Sequence, residues 1–296
     1  MTQNINLIQG SSATATPIKQ YGLRGIYKTV AMMRSGDRFP AVVFVDLYCG
    51  SGENILPGEI IAGSPISMLA GLLDALRGKG SLTKAPKGQW LIVFNDIAPG
   101  RATVLLPENV MRWQAENGLQ VDRDALRVTA RDGKEVVIPI KYITASAASV
   151  LDEITETLDA YKNSQVIMTI DPNGPKDAPW EKLREVWHKY SQRAELVFHL
   201  AATHMKRVAK ARNTCGIGFF APMPDHINAL IQSIIGCGGW VREPVGADQW
   251  TLLWLTRFPP RNAWNTETPF HKIETECGQA VIRRLSLTKK ELELAA

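Results

Sequence analysis

Cysteine is scarce and scattered in this sequence of 296 residues. The four cysteines are Cys49, Cys215, Cys237 and Cys277, with no CxxC pair and no histidine at metal-ligand spacing. Structural zinc sites and disulfide-stapled secreted domains both need clustered cysteines. We therefore expect reduced thiols and no bound metal.

Long hydrophobic runs are also missing. Each apolar stretch is broken by charge, glycine or proline before it reaches the length of a membrane span. The segment "MTQNINLIQG" lacks the basic and apolar regions of a signal peptide. We therefore expect a soluble, cytoplasmic protein that has no membrane partner.

The bulk composition is that of an ordinary globular protein, with 45% hydrophobic and 21% charged residues. A chain of this length can bury a large core without disulfides. The net charge of +5 favours partners that carry phosphate, without requiring them.

Short apolar runs alternate with amphipathic segments along most of the chain. The runs "AVVFVDLY", "QWLIVFND", "QVIMTI" and "AELVFHLAAT" are typical of buried parallel strands, and "RDGK" indicates a hairpin. "GWVREPVG" and "QWTLLWLTRF" predict a terminal β-hairpin. We expect an α/β fold with a doubly wound, mostly parallel, seven-stranded sheet.

The predicted domains are an arm and helical cap (1–40), an α/β domain (41–258) and an extension (259–296) that either docks or is disordered.

The turn "FVDLYCGSGEN" lacks the lysine of a P-loop and the third glycine of the GxGxxG dinucleotide motif. What it has is Asp46, Gly50 and Gly52, and such glycines let a backbone approach a ligand closely. Asp96 follows the next buried run and either holds ribose hydroxyls or caps a loop. Asp171 and Pro172 follow a later buried run. They either belong to a site at the end of that strand or form a plain turn, because "DPNG" is typical turn sequence. Because the carboxyl ends of parallel strands share one edge, we expect one crevice there.

The segments "VDLYCGSGE…GSPISML", "VFND" and "IDPNGP" resemble class I S-adenosylmethionine-dependent methyltransferases. More narrowly, they are similar to the three-Cys-motif partner protein family and to prophage-type DNA adenine methyltransferases. The resemblance covers roughly Lys19 to Phe258, and its most specific part is Gly63-Ser64-Pro65. It implies a Rossmann-like fold, S-adenosylmethionine as cofactor, and methylation of adenine N6 in DNA with low sequence specificity. It also implies two sets of site residues. The cofactor set is Asp46, Tyr48, Gly50, Gly52, Asp96 and Asp132, and the catalytic set is Asp171, Pro172 and Asn173.

The sequence departs from the [DNS]PP[YFW] motif of amine methyltransferases at two positions. Asn173 replaces the second proline and Gly174 replaces the aromatic residue that stacks on the flipped base. Trp180 is a candidate for the missing stacking role, although a core position suits it better. Two alternatives follow: a catalytically degenerate partner or binding module of the same fold, and methylation of RNA or of a small molecule.

The segment "ATHMKRVAKAR" is strongly basic. It is either a solvated helix face or part of a surface that binds the phosphate backbone of a nucleic acid. The candidate nucleic-acid contacts are Lys206, Arg207, Lys210 and Arg212. We expect His199 to lie in a buried strand. The oligomeric state is not predicted.

Overall fold

The structure is a computed structural model that describes residues 15–36, 38–56, 59–78, 81–172, 178–201, 239–242, 250–257, 270–284 and 287. The chain divides into two compact units. The first consists of Met1–Val150 and Glu156–Ile167, and the second of Leu151–Thr155 and Met168–Ala296.

Helices and strands alternate in the described residues, as expected for an α/β protein. The α-helices are α1 (Ala15–Met33), α2 (Ser64–Arg77), α3 (Leu106–Glu116), α4 (Ala147–Ala160), α5 (Trp180–Tyr190) and α6 (Glu276–Arg284). A π-helical turn (Arg101–Leu105) leads directly into α3. The strands are β1 (Ala41–Asp46), β2 (Glu53–Leu56), β3 (Glu59–Ala62), β4 (Gln89–Asn95), β5 (Ala125–Thr129), β6 (Glu135–Ile143), β7 (Gln165–Ile170), β8 (Ala194–Ala201), β9 (Trp240–Arg242), β10 (Trp250–Leu255) and β11 (Phe270–Lys272).

The main sheet is mostly parallel and has nine strands instead of the predicted seven. In the first unit the strand order is β7-β1-β4-β6-β5, and in the second it is β11-β9-β10-β8-β7, with β7 divided between the units. β1 pairs with β4 and β4 with β6 in parallel, whereas β5 runs antiparallel to β6. β5 and β11 stand at the two ends of the strand order; β5 is one arm of the "RDGK" hairpin, and β11 comes from the C-terminal extension.

The sequence patterns account for strands β1 and β4. β1 and β4 are buried apolar runs, in register from Ala41 opposite Gln89 to Asp46 opposite Phe94. The predicted hairpin between β5 and β6 is confirmed, and Gly133 at its tip has a φ of 80° that glycine adopts without strain. These pairings place the carboxyl ends of β1 and β4 side by side.

The predicted N-terminal cap contains the helix α1, which packs on α2 in the first unit. Arg24 of α1 forms a two-pronged ion pair with Asp74 of α2, with Nε–Oδ2 and Nη2–Oδ1 distances of 2.6 and 2.9 Å. Gly71 lies so close to α1 that an added Cβ would be 2.5 Å from the carbonyl oxygen of Arg24. The two helices therefore pack backbone to backbone at this point.

Two regions differ from the expectation. The hairpin of β2 and β3 lies between the glycine turn and α2, where only a turn was predicted. The C-terminal extension, for which docking or disorder was expected, forms β11 and α6, and β11 pairs with β9. In both cases short strands of three or four residues are too brief to leave a clear alternating pattern.

The predicted terminal hairpin is confirmed in the second unit. β10 is antiparallel to both β9 and β8 and lies between them. Trp254 of β10 is fully buried, and its Nε1 donates a 2.9 Å hydrogen bond to Oε2 of the buried Glu195 in β8. A buried carboxylate is stable only with such a partner, so the pair links the two strands firmly.

Candidate functional site

The turn after β1 is tight and needs glycine. Asp46, the last residue of β1, is fully buried, and its Oδ1 accepts a 3.1 Å hydrogen bond from the amide of Tyr48. Gly50 and Gly52 have φ values of 59° and 82°. Side chains other than glycine adopt this left-handed region at a cost, so the two glycines allow the chain to reverse here.

Two hydrogen bonds tie this turn to the loop after β4. The amide of Cys49 donates to the carbonyl oxygen of Asn95 at 2.9 Å, and the amide of Gly50 donates to Oδ2 of Asp96 at 3.0 Å. Oδ1 of Asp96 accepts from the amide of Ala98 at 2.7 Å. The carboxylate therefore holds both loops, and each oxygen retains a second lone pair. The structure thus brings the predicted residues Asp46, Gly50 and Asp96 together.

Asn95 is a positioning residue that the sequence analysis did not identify. Its side chain is buried, its Nδ2 donates to the carbonyl oxygen of Leu47 at 3.1 Å, and its Oδ1 accepts from the amide of Ala145 at 3.1 Å. It thereby joins the loops that follow β1, β4 and β6. The only sequence signal for this role is a polar residue at the end of a buried strand.

Gly52 and Gly63 contact each other through their backbones. The amide of Gly63 donates to the carbonyl oxygen of Gly52 at 2.7 Å, and a Cβ on Gly63 would lie 2.7 Å from the carbonyl carbon of Gly52. A Cβ on Gly52 would lie 2.4 Å from Cδ1 of Leu106. The close approach that Gly52 permits is therefore to the protein's own core. In the "GSP" segment, Gly63 supports the turn and Pro65 begins α2.

Charged side chains surround the thiol of Cys49 in the turn. Cys49 is buried, and its burial, together with the negative charges of Asp46 and Asp96, raises the pKa of its thiol well above the usual value. The positive charge of Arg101 lowers the pKa of the same thiol, but by less. The thiol is thus a neutral packing group and no nucleophile. The two buried carboxylates can accept hydrogen bonds from a ligand that carries N–H or O–H donors.

Side chains of helix α3 form hydrogen bonds with the turn and with the residue that follows it. Asn109 donates from Nδ2 to the carbonyl oxygen of Ser51 at 2.8 Å. Arg112 bonds through Nη2 to Glu53, the first residue of β2, and to Oδ1 of Asn109. The turn is consequently fixed on two sides, by the loop after β4 and by α3.

The structure places Asp132 apart from this turn. It lies at the tip of the β5–β6 hairpin, and its Oδ2 accepts from the amide of Ala85, in the loop that leads into the start of β4. That hydrogen bond lowers the pKa of the Asp132 carboxyl. Asp96 follows the other end of the same strand, so the structure does not bring these two predicted cofactor residues together. Tyr48, by contrast, lies in the turn itself and is partly exposed.

Asp171 and Pro172 follow β7 in the second unit. Oδ1 of Asp171 lies 2.8 Å from Nδ1 of His199 in β8, and both side chains are about a quarter exposed, at 25% and 23%. The expectation that His199 lies in a strand is confirmed, but its pairing with Asp171 was not foreseen. Strand neighbours 28 residues apart leave no local pattern in the sequence. Asn173 lies outside the described residues.

Trp180 belongs to the core of the second unit. It is 5% exposed and stacks on Phe198 with ring centroids 5.9 Å apart and planes 16° from parallel. The core interpretation of this residue is therefore confirmed, and its ring faces are not available to stack on a base.

The predicted nucleic-acid contacts Lys206, Arg207, Lys210 and Arg212 all lie outside the described residues. Among the residues that the structure does describe, no cluster of three or more histidine, cysteine or acidic side chains is arranged to hold a metal ion. No helix in that same part of the chain combines the length and apolarity needed to cross a membrane. Comparison of the sequence with family models and with curated proteins finds no match.

Proposed function

We propose that the protein is an S-adenosylmethionine-dependent methyltransferase that acts on the exocyclic amine of adenine in DNA. The observation that carries this proposal is the joined pair of turns after β1 and β4, in which the amide of Gly50 is bonded to Asp96. Asp46 and Asp96 lie at the carboxyl ends of adjacent parallel strands, which is where α/β folds bind nucleotide-like ligands.

The sequence of the first turn separates S-adenosylmethionine from other nucleotide-like ligands. The turn lacks the lysine of a P-loop and the third glycine of the GxGxxG motif, which serve the phosphates of ATP and NAD. S-adenosylmethionine carries an ammonium group and two ribose hydroxyls that can donate hydrogen bonds to carboxylates, together with a positively charged sulfonium and a carboxylate of its own. When bound, it supplies an electrophilic methyl group. Asp96 would hold the ribose hydroxyls with the lone pairs that its backbone hydrogen bonds do not use.

The strand order supports the same fold family. A terminal hairpin that inserts an antiparallel strand is the feature that distinguishes class I methyltransferase folds from dehydrogenase-like ones. In this protein β10 occupies that position, between β8 and β9 and antiparallel to both. The doubly wound arrangement of seven inner strands is part of the proposal, with β5 and β11 as additions at the two edges.

Asp171 and Pro172 supply the acceptors that amine methylation needs. The lone pair of an adenine amine is delocalised into the ring and attacks poorly. A carboxylate oxygen of Asp171 and the carbonyl oxygen of Pro172 would accept hydrogen bonds from the two N–H groups. Fixed acceptors favour the pyramidal nitrogen that attacks, and such preorganisation lowers the barrier.

The sequence at positions 173 and 174 favours one second candidate, a partner or binding module that has lost the chemistry. Asn173 and Gly174 replace the proline and the aromatic residue of the amine-methyltransferase motif. A degenerate module of this kind would bind S-adenosylmethionine weakly or not at all, so cofactor affinity separates the two candidates.

Methyl transfer tests the proposal. The protein is incubated with methyl-labelled S-adenosylmethionine and with DNA, RNA, a protein mixture and free nucleosides in parallel. We expect label in DNA, recovered as N6-methyladenine after hydrolysis, in many sequence contexts. Label only in RNA or in a nucleoside would overturn the DNA assignment, and no label in any substrate would overturn the activity.

A further inference from the structure

Asp171 and His199 stand out because they reach solvent from two buried strands. All six side chains of β7, which immediately precedes Asp171, are buried. In β8, Val197 lies two residues before His199 on the same face and is fully buried, whereas the His199 side chain is 23% exposed. The pair is therefore an accessible polar feature on an otherwise apolar part of the sheet.

The direction of the His199 side chain follows from strand geometry. Successive side chains of a strand point to opposite faces of the sheet. Phe198 stacks on Trp180 of α5, so His199 projects from the face of β8 that does not pack on this helix. On that other face its Nδ1 meets Oδ1 of Asp171 at 2.8 Å, which is a good hydrogen-bond distance.

The tautomer of the His199 ring follows from its hydrogen-bond partner, the carboxylate of Asp171. An ionised carboxylate only accepts hydrogen bonds, so Nδ1 of His199 carries the proton and donates it to Oδ1. Such charge-assisted bonds are shorter and stronger than neutral ones. The bond restricts the side-chain torsions of Asp171.

We propose that His199 is a positioning residue that fixes the carboxylate of Asp171 for recognition of the target amine, an inference that rests on the proposed methyltransferase function. The sequence after Asp171 explains why such an anchor is needed. A second proline and an aromatic residue would stiffen and anchor this segment, but Asn173 and Gly174 stand there instead. The hydrogen bond to His199 supplies an anchor for Asp171 from the neighbouring strand.

Two substitutions at position 199 separate this role from a merely structural one. In His199→Asn the amide nitrogen takes the place of Nδ1 and still donates to Asp171. In His199→Gln the amide nitrogen lies one carbon further out, near the place of Nε2, and misses Oδ1. Both variants are polar and similar in size, so they disturb folding to a similar extent. His188→Ala, on the exposed side of α5, is the matched histidine control.

The measurements are kcat and KM for DNA methylation, with S-adenosylmethionine affinity by calorimetry. We expect His199→Gln and His199→Ala to lower kcat by about 10- to 100-fold, the effect of a misplaced catalytic group, with KM and cofactor affinity within about 2-fold. His199→Asn should retain most of the activity, and His188→Ala all of it. In the Asp171→Ala background, His199→Ala should cause no further loss, because both residues act through one carboxylate.

Equal activity of the asparagine and glutamine variants would overturn the inference, as would additive losses in the double variant. If the wild-type protein methylates DNA and His199→Ala does so equally well, the positioning role alone fails. If the wild-type protein transfers no methyl group to any substrate, the proposed function fails and the positioning role fails with it.

Discussion

The amide of Gly50 donates a 3.0 Å hydrogen bond to Oδ2 of Asp96, across 46 residues of sequence. This bond joins the turn after β1 to the loop after β4, at the carboxyl ends of two parallel strands. It also makes Asp96 both a structural residue and a candidate ligand contact. A variant at this position consequently changes both stability and binding, and the two effects have to be measured separately.

Asp96→Ala should weaken S-adenosylmethionine binding by on the order of 1.5–3 kcal/mol, the value of a hydrogen bond to a charged group. It should also lower the free energy of unfolding, because the amides of Gly50 and Ala98 lose their acceptor. Calorimetry at a temperature where the variant is folded measures the first effect, and thermal unfolding the second. Unchanged affinity in a destabilised variant would mean that Asp96 only holds the loops.

Gly63→Ala should destabilise the first unit. Its new Cβ would lie 2.7 Å from the carbonyl carbon and 2.8 Å from the carbonyl oxygen of Gly52, so the backbone would have to shift. We expect a loss of about 1–3 kcal/mol in the free energy of unfolding, as for overpacked cores. Gly25→Ala in α1 is the matched control. Nothing lies within 4 Å of its added Cβ, so it should stabilise the helix by about 0.5–1 kcal/mol. Equal stability of the two variants in urea denaturation would contradict the packing at Gly63.

Asp132→Ala should change stability in a pH-dependent way and leave cofactor affinity unchanged. The amide of Ala85 lowers the pKa of the Asp132 carboxyl in the folded protein. A depressed pKa stabilises the fold above the unfolded value and ceases to do so as the pH falls through the folded value. The wild-type advantage over Asp132→Ala should therefore be present at pH 7 and shrink in acid. A loss of S-adenosylmethionine affinity in this variant would show instead that Asp132 contributes to the cofactor site.

The sequence predicted the elements with strong local patterns. The buried runs of β1, β4, β7 and β8 and the "RDGK" hairpin are all confirmed. It also predicted that Asp46, Asp96 and Asp171 lie at carboxyl ends of strands that share one edge, and Asp46 and Asp96 do follow from the adjacent parallel strands β1 and β4.

What the sequence did not predict depends on long-range pairing. β11 is three residues long and forms against β9, so its own pattern is too short to recognise. Asn95 and His199 have their roles only through partners on other strands. Gly52 was expected to make room for a ligand, but its neighbour is the core residue Leu106.

Reversal of Lys206 and Arg207 to glutamate should weaken DNA binding uniformly across sequences. Lysine and arginine release counterions when they contact phosphates, so each lost contact flattens the salt dependence of the affinity. Fluorescence anisotropy with several duplexes at different salt concentrations measures both quantities. If the affinity and the salt slope are both unchanged, the nucleic-acid surface lies elsewhere or the substrate is not a nucleic acid.

Calorimetric titration of the wild-type protein with S-adenosylmethionine, S-adenosylhomocysteine, NAD and ATP tests the central claim most directly. The turn between Asp46 and Asp96 should bind the first two ligands and neither of the phosphate-bearing ones. Gly50→Val should abolish the binding, because a branched side chain at a φ of 59° both strains the turn and fills the ligand's path. Binding of NAD or ATP in place of S-adenosylmethionine, or of none of the four ligands, would contradict the assignment of this turn as a methyltransferase cofactor site.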